Sequence, residues 1–285
     1  MTSPDTLTRF LLEKQNIRGE VVVLDHTMAE ILSKQTYPPF AARLLGESAV
    51  ATLLLSGTLK IEGSTTLQAR GDGPLPLLMA EATHDRTVRG IARWTQEEAA
   101  GSVLELLGPQ GTLAITLTPR QGARYQGIVP LEKPSLAGCI EDYFRQSEQL
   151  RTGLWIFHAG QHWGGLLLQE LPDPGQKDRA DDWEHIQTLT ATLRAEELFS
   201  LPAEEVLYRL FHQEQVRLLD TAPVRFACSC SEERTLQAIA SMGEAEATSI
   251  VEEQGQLEIT CQFCHQTYRF TPAHIAQLFK NPSIH

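Results

Sequence analysis

In residues 1–172, the order of apolar and polar residues predicts both strands and helices. The apolar run at 21–24 indicates a buried strand, whereas the longer apolar stretch at 39–55, which follows a proline pair, indicates a helix. Residues 65–94 contain three strand patterns separated by turn residues, which predicts an antiparallel meander. Further predicted elements are strands at 111–118 and 154–157 and a helix at 136–150. This part of the sequence therefore predicts an α+β domain with antiparallel sheets and packed helices.

Residues 173–225 differ in pattern, because they begin with a loop-like run of Asp, Pro and Gly and then show no strand signal. Apolar residues recur at spacings of three and four, which predicts two helices, each with one apolar face. The residues of these faces are Trp183, Ile186, Leu189, Thr190 and Leu193, followed by Val206, Leu207, Leu210 and Phe211. Six basic and eleven acidic residues give the segment a net charge of −5. We therefore expect an α-helical linker with solvated outer faces and with apolar faces that rest on another part of the protein.

The last part of the chain, residues 226–285, contains signals for short elements. Ser231 is a suitable N-cap for the helix predicted after it. Residues 257–260 and 267–270 predict a hairpin, and Pro272 predicts the first turn of another short helix. These patterns indicate a small separate domain.

Composition and charge limit the class of protein. The chain has 285 residues, 42% of them apolar, which is enough to bury a substantial core. Its formal net charge of −12 disfavours binding to the phosphates of nucleic acid. The sequence shows no window of 18 apolar residues, and charged residues interrupt the first positions, where a signal peptide has an apolar region. We expect a folded cytoplasmic protein without a membrane span or a nucleic-acid partner.

Four of the five cysteines form two close pairs near the end of the chain, Cys228 with Cys230 and Cys261 with Cys264. Two chelating pairs brought together by a fold supply four thiolates, the ligand set that suits tetrahedral zinc. Because four protein ligands leave no open coordination position, we predict one structural zinc ion and no catalytic metal. The fifth cysteine, Cys139, lies on an apolar helix face and is expected to pack in the core.

The spacing within each pair also permits redox chemistry. Cysteines two or three residues apart can approach closely enough for a disulfide, so Cys228 can pair with Cys230 and Cys261 with Cys264 when no metal is bound. A domain of about 60 residues gains little stability from its core, whereas zinc contributes on the order of 10 to 16 kcal/mol in such domains. Loss of the metal is therefore expected to unfold this domain. His265 is not required as a ligand, because the four cysteines complete the set.

Five sequence runs, spread from one end of the chain to the other, are distinctive. They are ARGDGPLPLLMAEA and LAGCIEDYFRQSEQL in the first part, LPAEEVLYRLFHQE in the linker, and FACSCSEER and CQFCHQTY around the cysteines. Together they closely resemble the bacterial redox-regulated 33-kDa heat-shock chaperone family. The resemblance implies a cytoplasmic, ATP-independent holdase, not an enzyme, that binds unfolding proteins under oxidative or heat stress and is inactive when reduced and zinc-bound.

The resemblance also implies roles for the three parts of the chain. Residues 1–172 form a substrate-binding and dimerisation domain, 173–225 a helical linker, and 226–285 a zinc redox-switch domain. The four paired cysteines are the ligands of one Zn²⁺ in the reduced form, and the disulfides Cys228–Cys230 and Cys261–Cys264 are present in the active form. Oxidation releases zinc and unfolds the C-terminal domain and the linker, and the active protein is a homodimer.

The linker pattern adds candidate client-binding residues. When the C-terminal domain unfolds, the apolar faces of the linker helices lose their partner and can contact unfolded proteins. The candidates are Trp183, Ile186, Leu189, Leu193, Val206, Leu207, Leu210 and Phe211. The net negative charge of the segment is expected to keep it soluble once released.

Two other functions use the same cysteines. A zinc-ribbon regulator of nucleic acid would need contact with phosphates, which the net charge of −4 in residues 226–285 disfavours. A thiol oxidoreductase using Cys261 and Cys264 would need an attacking thiol of low pKa near a strand-to-helix junction, whereas this pair is predicted to lie in a hairpin.

Overall fold

The computed structural model describes residues 5–58, 62–172 and 180–280, and the chain forms two compact units, Met1–Ala227 and Cys228–His285. The strands of the first unit are β1 (Thr6–Leu12), β2 (Ile17–Leu24), β3 (Gly63–Arg70), β4 (Leu77–Thr83), β5 (Thr87–Arg93), β6 (Thr112–Pro119), β7 (Tyr125–Pro130), β8 (Thr152–Ala159), β9 (His162–Glu170), β10 (Val216–Pro223) and β11 (Arg225–Phe226). Its helices are α1 (His26–Leu32), α2 (Pro39–Thr58), α3 (Val103–Leu107), α4 (Leu136–Tyr143), α5 (Ala180–Thr190), α6 (Ala195–Ser200) and α7 (Ala203–Phe211). The predicted loop at 173–179 lies outside the described residues.

One sheet of the first unit has the strand order β10-β1-β2-β9-β8, with every neighbouring pair antiparallel. Its two faces contribute to different apolar clusters, one that includes α2 and one that includes α5 to α7. Because both faces are covered, β9 is buried at every position from Trp163 to Gln169. Such a strand shows a continuous apolar run rather than alternation.

The other sheet has the order β11-β5-β4-β3-β6-β7 and is antiparallel except for the short parallel pair of β11 and β5. Its central strands β3, β4 and β5 confirm the predicted meander. Helix α2 contacts strands of both sheets and is buried around most of its circumference. By length and composition α2 could cross a membrane, but 78% of its apolar window is buried inside the protein, as in the core helix of a globular fold.

The predicted helix at 136–150 is shorter than expected. Its α-helical part, α4, ends at Tyr143, and a π-helical turn, Phe144–Glu148, follows. The turn ends at Gln149, which has a φ of 55° in the left-handed region. The apolar spacing of 136–150 did not indicate this change, because the buried residues that form the helical pattern all lie before the π turn: Leu136, Cys139, Ile140 and Tyr143.

The prediction that residues 173–225 contain two helices and no strand was wrong. The described part of this segment forms three helices, α5 to α7, followed by the strand β10, and Leu193 lies after α5 rather than within it. Strand β10 pairs with β1 at the edge of the first sheet, with a bulge opposite Arg9 and Phe10. Its side chains are exposed or half-buried, with Leu219 at 50% exposure, so no buried face marked it as a strand.

The second unit contains α8 (Glu232–Met242), α9 (Glu244–Gln254), the antiparallel strands β12 (Leu257–Thr260) and β13 (Thr267–Phe270), and α10 (Pro272–Lys280). The predicted hairpin and the helices after Ser231 and at Pro272 are confirmed, whereas α9 was not predicted. The described part of this unit buries few apolar side chains: Ile239, Ala247, Val251, Leu257, Phe270 and Ile275. A core of this size gives little stability to the unit.

Glu20 of β2 is a buried carboxyl group in the first unit. It is 2% exposed, and its Oε2 has no hydrogen-bond partner among the described residues. The carboxyl group packs directly on the backbone of α2, since a Cβ added at Gly57 would lie 2.2 Å from Oε2. Burial raises the pKa of Glu20 well above its ordinary value, and the positive charge of Arg18 opposes this only in part.

We expect the contribution of Glu20 to the stability of the first unit to fall as pH rises from about 4.5. In this range the folded protein holds a proton on Glu20 that the unfolded chain has lost, so rising pH favours unfolding. Glu20→Gln should remove this part of the pH dependence, and Glu62→Gln, at an exposed glutamate, should not. All four tryptophans lie in the first unit, so urea unfolding followed by tryptophan fluorescence between pH 5 and 8 measures the effect. Equal slopes for Glu20→Gln and the parent protein would contradict it.

Candidate metal centre

The first cysteine pair lies in the short segment between β11 and α8. The Ser231 side chain accepts a hydrogen bond from the Arg234 backbone N–H at 3.2 Å and so caps α8. The guanidinium group of Arg234 in turn donates to the Ser229 carbonyl at 2.8 Å. These bonds tie the segment that contains Cys228 and Cys230 to the start of the helix.

The second pair lies in the tight turn that joins β12 to β13. The Cys261 N–H donates to the Gln266 carbonyl at 2.9 Å, and the His265 N–H donates to the Cys261 carbonyl at 2.9 Å. His265 has a φ of 57°, in the left-handed region that such a turn needs. The turn therefore places Cys261 and Cys264 on one side of the hairpin end.

The fold brings the four sulfur atoms together. All four Sγ atoms lie within 4.8 Å of one another. Cys228 Sγ is 3.6 Å from Cys261 Sγ, and Cys230 Sγ is 3.3 Å from Cys264 Sγ, and both distances are too long for a disulfide bond. Four sulfurs at 2.3 Å from one zinc ion in a tetrahedron would be about 3.8 Å apart. The four cysteines are thus positioned to hold a metal ion, and sulfur ligands fit zinc.

The protonation of these thiols depends strongly on their surroundings. Burial and the neighbouring thiols raise the pKa of Cys264 to about 12, and burial also raises the pKa of Cys230. Without a cation Cys230 and Cys264 therefore favour the neutral thiol, because burial disfavours the charged form and thiolates in contact repel one another. A divalent cation reverses this preference, since it binds the thiolate form of each ligand.

Tyr268 of β13 contacts the cluster and was not predicted. Its hydroxyl group donates a hydrogen bond to Cys230 Sγ at 3.2 Å, and this bond raises the pKa of Tyr268 to about 12. The ring packs against the core of the second unit. The sequence does show a tyrosine four residues after Cys264, on the second strand of the predicted hairpin. Its contact with Cys230 could not be predicted, because it depends on how the first cysteine pair packs against the hairpin.

Two other residues considered from the sequence lie elsewhere. The exposed side chain of His265 does not belong to the cluster of potential ligands in the described residues. Cys139 is 2% exposed, belongs to the core cluster around α2, and donates to the Lys133 carbonyl at 3.3 Å. The prediction that Cys139 packs in the core is confirmed.

The apolar residues predicted on the linker helices gather in one cluster. They pack on the outer face of the first sheet, together with residues of β1, β2 and β9 such as Phe10, whose ring centroid is 6.1 Å from that of Phe211. The buried members are Trp183, Ile186, Leu193, Val206, Leu207, Leu210 and Phe211, and Leu189 is partly buried against them. The linker faces therefore rest on the sheet, as the apolar spacing predicted.

Comparison with known proteins agrees with this fold. The family model described as Hsp33 protein matches residues 5–271. The chain is 54% identical over 282 residues to a 33 kDa chaperonin of Hahella chejuensis, covering 99% of each protein. It is 47% identical over 279 residues to a 33 kDa chaperonin of Shewanella sediminis, covering 98% of this chain and 97% of that relative.

A solved structure supports the fold. The crystal structure of a 33 kDa chaperonin from Thermotoga maritima matches with a TM-score of 0.81 over 98% of both chains, at 20% sequence identity. This likeness shows the fold, while the family match and the sequence relatives cover both cysteine pairs. The resemblance found in the sequence is thus confirmed, and the chain belongs to the Hsp33 family of chaperones.

Proposed function

We propose that this protein is a redox-regulated, ATP-independent holdase of the cytoplasm that binds unfolding proteins under oxidative or heat stress. The observation that carries the proposal is the meeting of four thiol sulfurs within 4.8 Å in a unit with a small core. Such a cluster can exist as a ligand set or as disulfides, and the two states give very different stability to the unit. The protein itself is not an enzyme in this proposal.

In the reduced form, Cys228, Cys230, Cys261 and Cys264 hold one Zn²⁺, which ties the segment before α8 to the β12–β13 hairpin. Oxidation of each pair by two electrons forms the disulfides Cys228–Cys230 and Cys261–Cys264 and consumes all four ligands. Each disulfide closes a loop of only a few residues. It therefore restrains the unfolded chain much less than a cross-link between the two pairs.

Loss of the ligand set should unfold residues 226–285, because their apolar core is small. The unfolding residues continue directly from Ala227, the last residue of the first unit, whose N–H donates to the Val88 carbonyl at 3.4 Å. Strands β10 and β11 lie just before Ala227 in the sequence, and the linker helices precede these strands. We therefore expect loosening to pass from the cysteines into residues 173–225.

A released linker would expose the apolar residues that now cover the first sheet. These residues, Trp183, Ile186, Leu189, Leu193, Val206, Leu207, Leu210 and Phe211, are the proposed client-binding set, with residues 1–172 as the substrate-binding and dimerisation domain. Exposed apolar area binds unfolded proteins through the same burial that stabilises a core. The active form is proposed to be a homodimer, with no nucleic acid or membrane as partner.

The position of the second cysteine pair supports this proposal over a thiol oxidoreductase. Cys261 and Cys264 lie in a hairpin turn rather than at the N-terminus of a helix, where the backbone dipoles lower the pKa of an attacking thiol. A steady turnover of disulfide substrates by the metal-free protein would favour the enzyme instead.

The proposed function is tested by titrating the reduced, zinc-loaded protein with hydrogen peroxide at a heat-stress temperature. Zinc release, disulfide content, binding of an apolar dye and protection of a heat-denatured client should rise together. Mass spectrometry should show disulfides between Cys228 and Cys230 and between Cys261 and Cys264. Cys139→Ala should behave as the parent protein, because Cys139 lies in the first unit. Oxidation that releases zinc but changes neither dye binding nor client protection would contradict the proposal.

A further inference from the structure

We propose that the hydroxyl group of Tyr268 protects Cys230 from oxidation and so slows the formation of the Cys228–Cys230 disulfide. This inference deepens the proposed redox function and rests on it. Its basis is the hydrogen bond from the Tyr268 O–H to Cys230 Sγ at 3.2 Å, a contact made by a side chain that is not itself a ligand.

The structure holds the Tyr268 hydroxyl group in place. Strand β13 pairs with β12 so that Tyr268 lies opposite Ile259, and the two side chains pack against the core of the second unit. This packing on one side of the ring favours the position in which the hydroxyl group meets Cys230. Cys230 itself is only half-buried, so peroxide can approach the sulfur while the tyrosine contact is present.

The direction of the effect follows from the charge on sulfur. In the metal-bound form all four sulfurs are thiolates, so a hydrogen bond cannot change the fraction that is ionised. The bond instead draws electron density from Sγ into a charge-assisted contact, as outer groups around metal ligands do. A thiolate stabilised in this way is a weaker nucleophile toward peroxide, because part of the contact is lost when the sulfur charge is transferred to oxygen.

The affected step is the first oxidation of Cys230. The thiolate sulfur attacks one peroxide oxygen, an S–O bond forms, the O–O bond breaks and hydroxide leaves, which gives the sulfenic acid. The thiolate of a second cysteine then attacks this sulfur, an S–S bond forms, the S–O bond breaks and a second hydroxide leaves. Both electrons of the disulfide are accepted by the peroxide.

The variant Tyr268→Phe tests the inference, since it removes the hydroxyl group and keeps the ring. Zinc-loaded protein is treated with a small excess of hydrogen peroxide, and isotope-coded alkylation with mass spectrometry measures the reduced fraction of each cysteine over time. We expect Cys230 to be oxidised about threefold to tenfold faster, as expected for partial loss of a hydrogen bond to a charged group. Zinc stoichiometry and amide protection of β12 and β13 should remain as in the parent protein.

Two control variants separate the hydroxyl group from general loosening. Tyr208→Phe removes an exposed hydroxyl from α7 and should leave the rate at Cys230 unchanged. Ile259→Val weakens packing opposite Tyr268 but keeps the hydrogen bond, and it should also leave the rate unchanged. An equal acceleration by Ile259→Val, or no acceleration by Tyr268→Phe, would overturn the inference while leaving the proposed function standing. If the parent protein binds no zinc or its cluster resists peroxide, both fail together.

Discussion

Replacing Cys261 and Cys264 together by serine is expected to unfold residues 228–280 even under reducing conditions. Two sulfurs remain, and they cannot replace a four-sulfur site whose metal contributes on the order of 10 kcal/mol to a domain of this size. That contribution exceeds the stability expected from the small apolar core of the second unit. Zinc content should fall from one per chain to near zero, and the amides of α8, α9 and α10 should exchange almost as fast as in an unfolded chain.

The matched control is Cys139→Ala, which removes a thiol from the first unit and should keep both the zinc and the amide protection of α8 to α10. Under the proposed function, the double serine variant should also protect a heat-denatured client without any oxidant, whereas Cys139→Ala should still require one. Persistent protection of α8 to α10 in a zinc-free double variant would mean that the apolar core suffices for folding. Metal loss would then not be the switch.

Phe211→Ala is expected to free the linker while the metal centre stays intact. Phe211 is 1% exposed and packs on Phe10, and loss of a buried aromatic side chain costs about 3 to 5 kcal/mol. The loss falls on α7, whose other buried residues lie on the same apolar face. We expect faster amide exchange in α5 to α7 and stronger binding of an apolar dye by the reduced, zinc-loaded protein.

Tyr208→Ala is the control for this second substitution. It removes an aromatic side chain of similar size from the same helix, but Tyr208 is 67% exposed, so little packing is lost. Client protection by reduced Phe211→Ala, with one zinc still bound per chain, would support a client-binding role for the linker faces separate from metal loss. If Phe211→Ala increases dye binding without capturing clients, the proposed role of these residues is wrong.

Sequence patterns predicted the one-sided helices of the linker and also the continuous apolar runs of β2 and α2. The linker residues with spacings of three and four, such as Val206 and Leu210, do lie on the sheet-facing side of α7. Strand β9 was missed because both of its faces are covered, which removes the alternation, and because Gly164 and Gly165 interrupt its apolar run. Strand β10 was missed for the opposite reason, since it is defined by pairing with β1 and buries little of its own surface.

The sequence predicted the potential ligands of the metal centre but not the contacts around them. The spacing of the cysteines identified the four potential ligands, because chelating pairs need only local chain geometry. The contact between Tyr268 and Cys230 joins residues 38 positions apart and depends on how two separate loops meet. The left-handed backbone of His265 likewise arises from the closure of the hairpin, and no glycine marked it in the sequence.

The pairing of β1 with β10 has a consequence for synthesis on the ribosome. Thr8 and Thr221, whose hydroxyl groups are hydrogen-bonded across this pair, are 213 residues apart in the chain. Strand β1 is therefore synthesised early, and its edge stays unpaired until β10 has been translated, late in synthesis. An open strand edge in a nascent chain invites pairing with other nascent chains. We therefore expect this chain to be most prone to aggregation before β10 has been synthesised.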